Sequence, residues 1–155
     1  MKALLQRVSQ ASIHIQGETT ASIASGMLVL LGIDKNDTEA TAALLAKKTA
    51  HLRLFEDVAG KMNLSALELQ KEILVVSQFT LCASLHKGRR PSFVEACPPE
   101  AARPLYSHFC EQLRQQGLRV AEGVFQADMQ VHLINDGPVT FWLDSALWQV
   151  RPLPL

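Results

Sequence analysis

Two apolar runs limit what this chain can fold into. MLVLLGI (27–33) and the EILVV opening of EILVVSQFTLCA (72–83) are hydrophobic at almost every position rather than at alternate ones. A strand with one wet face alternates, whereas a strand covered on both faces does not. Unbroken runs of this kind belong to the inner strands of layered α/β sheets. MLVLL, the longest purely apolar run, falls far short of the ~20 residues that a membrane helix needs. Gly26 and Asp34 bound the first run, and a helical pattern follows it. Asp37 or Thr38 caps that helix, Glu39 places negative charge in its first turn, and Ala40, Leu44, Leu45, Lys48 and Leu52 form a mostly apolar face, with Lys47 outward.

The flanking segments complete an α/β order. Residues 2–8 and 11–15 read as two strand-like stretches, the second ending at the turn residue Gly17. Residues 55–65 read as a turn centred on Asp57 and Gly60. A second helix carries Leu105, Phe109 and Leu113 at four-residue spacing, with Tyr106 and Cys110 beside them. Pro104 sits in its first turn or kinks it, and Gly117 ends it. The stretch from Leu118 to Ser145 reads as three strands joined by tight turns at Gly123–Asp128 and Asn135–Gly137. Strands, helix, strands, helix, strands in 155 residues predict a single α/β domain with a mixed sheet.

Several chemistries find no support. Fifteen basic and fifteen acidic side chains give a formal net charge of +0, so any nucleic-acid contact must come from a local patch. Cys82, Cys97 and Cys110 are odd in number and lack C-x-x-C spacing, which predicts reduced thiols in a cytoplasmic protein. MKALLQRVSQ has no apolar core of signal-peptide length. The five histidines are scattered singly, so no metal site is predicted. No G-x-G-x-x-G, G-x-x-x-x-G-K-[ST] or G-x-S-x-G occurs, and no cofactor is expected.

Three features remain. Ser77-Gln78-Phe79-Thr80-Leu81 follows the covered run EILVV, where ligand crevices open in α/β sheets. Its hydroxyls, amide and backbone N–H groups either face an oxyanion or satisfy the backbone of a strand end. The dense basic loop His86-Lys87-Gly88-Arg89-Arg90-Pro91-Ser92 is either a solvated turn or a phosphate contact. In NDGPVTFWLDS (135–145), Pro138 stands where a strand should begin pairing, although proline lacks the ladder donor.

Taken together, LLQRVSQAS (4–12), GMLVLLGIDKNDTEA (26–40), GKMNLS (60–65), LVVSQFTL (74–81), KGRRPSF (87–93), PPE (98–100), ADMQV (127–131) and NDGPVTFWLDS (135–145) resemble the D-aminoacyl-tRNA deacylase family in order along nearly the whole chain. SQFTL and NDGPVT are similar to its two signature motifs. The resemblance implies a compact α/β domain over 1–145 with two packed mixed sheets and helices on one side, followed by a tail, 146–155. It implies a cytoplasmic homodimer that hydrolyses D-aminoacyl-tRNA and glycyl-tRNA while rejecting L-aminoacyl-tRNA. Ser77, Gln78, Phe79 and Thr80 would then form the catalytic wall. Gly137 and Pro138, joined by a cis bond, would reach the partner's active site. Arg7, whose fork can hold backbone carbonyls or merely decorate a strand edge, would join them in substrate binding with Met129 and Asn135. Lys87, Arg89 and Arg90 would contact tRNA. Hydrolysis would use either the Thr80 hydroxyl as nucleophile, which needs a neighbouring base, or water assisted by the tRNA 2′-hydroxyl; no His or Lys motif sits beside Thr80, which favours the second. Leu85-His86 and Val124 depart from the family pattern, at positions that bear on tRNA backbone contact. Two other readings stay open: a paralogous deacylase with a trans Gly-Pro bond and relaxed chirality, and a non-catalytic RNA-binding module.

Overall fold

Both unbroken apolar runs become inner strands of one sheet in the computed structural model, which describes residues 1–148. The order is β1 (Lys2–Ile15), β2 (Glu18–Ile23), β3 (Gly26–Gly32), α1 (Glu39–His51), β4 (Arg53–Glu56), β5 (Met62–Ser65), β6 (Glu72–Ser77), α2 (Pro99–Gln115), β7 (Val120–Glu122) and β8 (Gln130–Asp144). Single 3₁₀ turns occupy Phe79–Cys82 and Ser145–Trp148. β1 pairs antiparallel with β2, β3 and β8, while β3–β6 and β6–β7 are parallel, so the six-stranded sheet is mixed. β4 and β5 form a separate antiparallel pair.

Residue parity explains the unbroken runs. Met27, Val29, Leu31, Ile73 and Val75 face the two helices, within a core that includes Leu45, Tyr106, Phe109 and Leu113. Leu28, Leu74 and Val76 point the other way, against Val8, Ala11 and Ile13 of β1 and Ile23 of β2. The sheet therefore folds over on itself into two packed layers, with both helices on one side. Each Leu or Val shut away in this manner contributes ~1.5–3 kcal/mol relative to exposure.

Several local expectations change. Residues 2–15 form one strand rather than two, because polar Ser9 and Gln10 mark a register shift, not a break. The strand beginning at Glu72 stops at Ser77, and the residues after it wind into the 3₁₀ turn. Residues 130–144 also form one strand. Asn135–Gly137 does not reverse the chain into a hairpin, since both halves of β8 pair with β1 in the same direction. The buried stripe of α1 is Ala42, Leu45, Ala46, Thr49 and Ala50, whereas Leu44 and Lys48 are exposed. Small alanines let α1 lie close to its neighbours, a signal weaker than leucine spacing. Thr38 caps this helix, accepting from the Thr41 N–H at 3.3 Å. Pro104 falls in the second turn of α2, which runs on through it. Residues 146–148 of the tail extend the packed unit, with Trp148 against the helical core and the Lys48 ammonium 5.8 Å from its ring; residues 149–155 lie outside the described residues.

Candidate active site

A cavity of about 660 Å³ opens where β6 ends. Ser77, Gln78 and Phe79 form one wall, Pro98 and Pro99 at the start of α2 another, and Phe125 through Met129 a third. The polar wall exists because the covered strand ends there. The Gln78 N–H donates to the Leu31 carbonyl at 2.8 Å, its last tie to β3, and the chain then turns through Phe79–Cys82. The first N–H groups of such a turn have no partner within it. Those of Phe79 and Thr80 have no hydrogen-bonded acceptor among the described residues. Gly32 makes room for this turn: a Cβ there would lie 2.9 Å from Leu81 Cβ, 3.0 Å from Cys82 Sγ and 3.1 Å from the Gln78 carbonyl oxygen.

Phe79 is 58 % exposed and its ring sits 4.9 Å from that of Phe93, centroid to centroid. The Thr80 hydroxyl lies outside the cavity lining and accepts from the Gln78 side-chain amide at 2.5 Å. An amide is no base, and among the described residues Gln78 is the hydrogen-bond partner of that hydroxyl. Behind the turn, Lys2 Nζ donates to Asp34 at 2.7 and 2.8 Å, with the Cys82 thiol close to the same carboxylate. Burial pushes the Asp34 carboxyl up, but these hydrogen bonds and the nearby ammonium groups outweigh it and leave it below its usual value. Burial, helped by the Asp34 charge, pushes the Cys82 thiol up to about 12, so it is a structural thiol.

The other predicted residues gather elsewhere. Gln6 pairs with Thr140 and Val8 with Asn135, so Asp136, Gly137, Pro138 and Val139 bulge out opposite Arg7 alone. The Gly137–Pro138 peptide is cis. Gly137 has φ 148°, and a Cβ there would meet Val139 Cγ2 at 2.6 Å and Arg7 Nη2 at 3.3 Å, so only glycine fits. Arg7, 7 % exposed, donates from Nε to the Asp136 carbonyl at 2.8 Å and from Nη1 to the Leu54 carbonyl of β4 at 2.9 Å. Of the two readings of Arg7, carbonyl clamp and strand-edge charge, the burial and these bonds match the clamp. Asn135 closes the bulge from its other end, accepting from the Val139 N–H at 2.7 Å and donating to Thr140 Oγ1 at 3.0 Å. Its side chain is thus engaged with the chain itself.

Within one chain, then, Met129 joins Ser77, Gln78 and Phe79 at the cavity, while Gly137 and Pro138, held by buried Arg7 and half-buried Asn135, form a second, exposed projection that does not line it. Lys87, Arg89 and Arg90 lie on an exposed loop whose base is tied by the Ser84 and Ser92 backbone bonds at 2.8 and 3.0 Å. Phe93, just after that loop, is a cavity wall. Sequence reading missed Phe93, Phe125 and the helix start at Pro98–Pro99 as lining residues. Their only signal was that they sit in or beside segments that match the family.

The family model described as D-Tyr-tRNA(Tyr) deacylase matches residues 4–144. The chain belongs to that family. It is 57 % identical over 145 residues to a D-aminoacyl-tRNA deacylase of Geobacter sulfurreducens, covering 94 % of this chain and 95 % of that one. It is 51 % identical over 146 residues to one from Thermotoga petrophila, covering 94 % and 98 %. Among solved structures, one described as a c-Myc DNA Unwinding Element Binding Protein superposes with a TM-score of 0.88 at 45 % identity, covering 93 % of this chain and 98 % of that one. A probable eukaryotic D-amino acid tRNA deacylase shares the fold at a TM-score of 0.81 and 18 % identity, covering 92 % and 97 %. Family membership makes this chain a hydrolase of the deacylase type.

Proposed function

We propose that the chain hydrolyses the ester joining a D-amino acid, or glycine, to the 3′-terminal adenosine of tRNA, and that it rejects L-aminoacyl-tRNA. The observation that carries this reading is the division of the family's two signatures between an open cavity and a rigid projection. The cavity is lined by Ser77, Gln78 and Phe79, the last with an unpaired N–H among the described residues, and the projection is clamped by Arg7. A second copy of the chain supplies what one copy lacks: the Gly137–Pro138 bulge of one subunit enters the cavity of the other. Its backbone then crowds the position where an L-side chain would sit, so chirality is read by exclusion. Glycine, lacking a side chain, passes.

In this reading the Phe79 and Thr80 N–H groups face the ester carbonyl and stabilise the oxyanion, a single good donor contributing ~3–4 kcal/mol. The Thr80 hydroxyl is engaged by Gln78 and does not attack. Water attacks the carbonyl carbon with help from the 2′-hydroxyl of the terminal ribose, and the 3′-oxygen leaves with a proton. Met129 bounds the pocket floor, and Lys87, Arg89 and Arg90 meet tRNA phosphates. The compartment is the cytoplasm, where charged tRNA is used.

Deacylation of matched D-, L- and glycyl-tRNA tests this. Hydrolysis of the D- and glycyl forms with L-aminoacyl-tRNA spared is expected, and Thr80→Ala should retain turnover. Equal turnover of both enantiomers would sink the reading.

A further inference from the structure

A substrate that ends in a polynucleotide brings phosphates to the mouth of this cavity, yet none of the lining residues is a lysine or arginine, and the charged one is Asp128. One cation nevertheless touches the lining from outside. Arg103, on the exposed face of α2 next to the lining residue Ala102, lays its guanidinium 4.7 Å from the centroid of the Phe125 ring. Its Nη2 donates to Gln126 Oε1 at 3.1 Å. Phe125 and Gln126 both line the cavity.

The stack has a fixed base. Phe125 rests against Tyr106 at 5.6 Å between centroids, and the buried Tyr106 hydroxyl donates to the Val75 carbonyl of β6 at 2.9 Å. The guanidinium is thus held over a ring that is itself anchored to the central sheet, two residues before the strand delivers Ser77 to the cavity wall. A stacked guanidinium keeps its edge donors free, and one of its five N–H groups is engaged by Gln126. Arg114 and Arg119, the other arginines of this region, are paired with Glu122 and Glu72. Arg103 has no carboxylate partner among the described residues.

The geometry points to Arg103, stacked on Phe125, as the residue that receives the phosphodiester preceding the terminal adenosine. This inference rests on the deacylase reading for the identity of the substrate. Arg103 forms no hydrogen bond to the Ser77–Thr80 wall among the described residues, so it acts on binding and leaves the chemical step alone. Ring and guanidinium are matched in shape, so lysine restores charge without the plane.

Kinetic and binding measurements test it, on wild type, Arg103→Ala and Arg103→Lys. With D-aminoacyl-tRNA, Arg103→Ala should raise KM about five- to tenfold at low salt with kcat unchanged, and Arg103→Lys should fall between. The slope of log(kcat/KM) against log[salt] should drop by about 0.7, one phosphate on a single strand. With a D-aminoacyl-adenosine, which carries no phosphate, all three proteins should be indistinguishable. An unchanged KM and salt slope on tRNA, or an equal loss on the phosphate-free substrate, overturns the assignment. A labelled oligoribonucleotide ending in the tRNA 3′ sequence separates the two ideas. If wild type turns over neither substrate, the deacylase reading fails, while weaker oligonucleotide binding by Arg103→Ala still supports the phosphate contact and equal binding refutes it. Arg103 is exposed, so unchanged thermal melting is expected for both variants.

Discussion

Replacing Gly32 with alanine pushes directly on the wall that carries the unpaired N–H groups. The new Cβ would start 2.9 Å from Leu81 Cβ and 3.1 Å from the Gln78 carbonyl oxygen, on the two ends of the segment that holds Phe79 and Thr80. Carbon atoms rest at about 3.5–4.0 Å, so the turn must retreat by roughly 0.6–1 Å. β3 cannot yield instead, because its neighbours on both faces are buried. Overpacking of this size costs about 1–3 kcal/mol of stability. A displacement near 1 Å at reacting groups costs on the order of 100-fold in rate, about 2.7 kcal/mol of barrier. Single-turnover deacylation of D-aminoacyl-tRNA, read beside urea unfolding, separates the two effects. Gly26→Ala is the comparison: its Cβ would sit 2.0 Å from the Glu72 carbonyl oxygen at the far end of the same strand. That variant should lose stability, while its folded fraction keeps the normal rate. A folded Gly32→Ala protein with wild-type turnover would refute the positioning argument.

Two further outcomes concern the clamp and the cluster behind the turn. Arg7→Met keeps the buried stem but leaves the Asp136 and Leu54 carbonyls without their donors, so stability should fall by ~2–4 kcal/mol and L-aminoacyl-tRNA should be spared less completely. An unchanged urea midpoint would contradict the hydrogen-bond assignment. Asp34 holds its proton more weakly in the folded protein than in the unfolded chain. Its contribution is present above the unfolded carboxyl pKa, about 3.9, and is lost as pH falls through the lower folded value. Wild type should therefore outlast Asp34→Asn in urea at neutral pH, with the gap closing in acid; a gap that ignores pH would contradict the ion-pair account.

The inner strands were legible because burial on both faces writes an unbroken apolar run, as in Met27–Leu31 and Ile73–Val76. The path of β8 was not. Asn-Asp-Gly-Pro has the chemistry of a reversal, but whether the flanking strands pair with each other or with a third strand depends on β1, 129 residues upstream at the Arg7–Asp136 bond. The buried stripe of α1 was misjudged because alanines carry little hydrophobic signal, although they decide how closely the helices approach. The candidate site divides in the same manner. Ser77–Phe79 could be placed at a strand end from sequence, since the strand itself announced its end. That Met129 shares their cavity while Gly137 and Pro138 stand apart is a tertiary fact with no local trace. Arg103 on Phe125 belongs to neither signature, and only the packing of α2 against the β7–β8 connection brings the two together.

β1 also sets a timetable. Its early partners, β2 and β3, emerge from the ribosome soon after it, but its other edge waits for β8, whose Asp144 pairs with Lys2. Until residues 130–144 are made, that edge presents unsatisfied N–H and carbonyl groups and an Arg7 side chain with no bulge to hold. Distant strand pairing of this kind closes slowly. A nascent or truncated chain would therefore form the sheet around β3 and β6 and the SQFTL turn while lacking the clamped Gly137–Pro138 projection. On the proposed reading, the SQFTL wall of the cavity forms before the projection that judges the substrate.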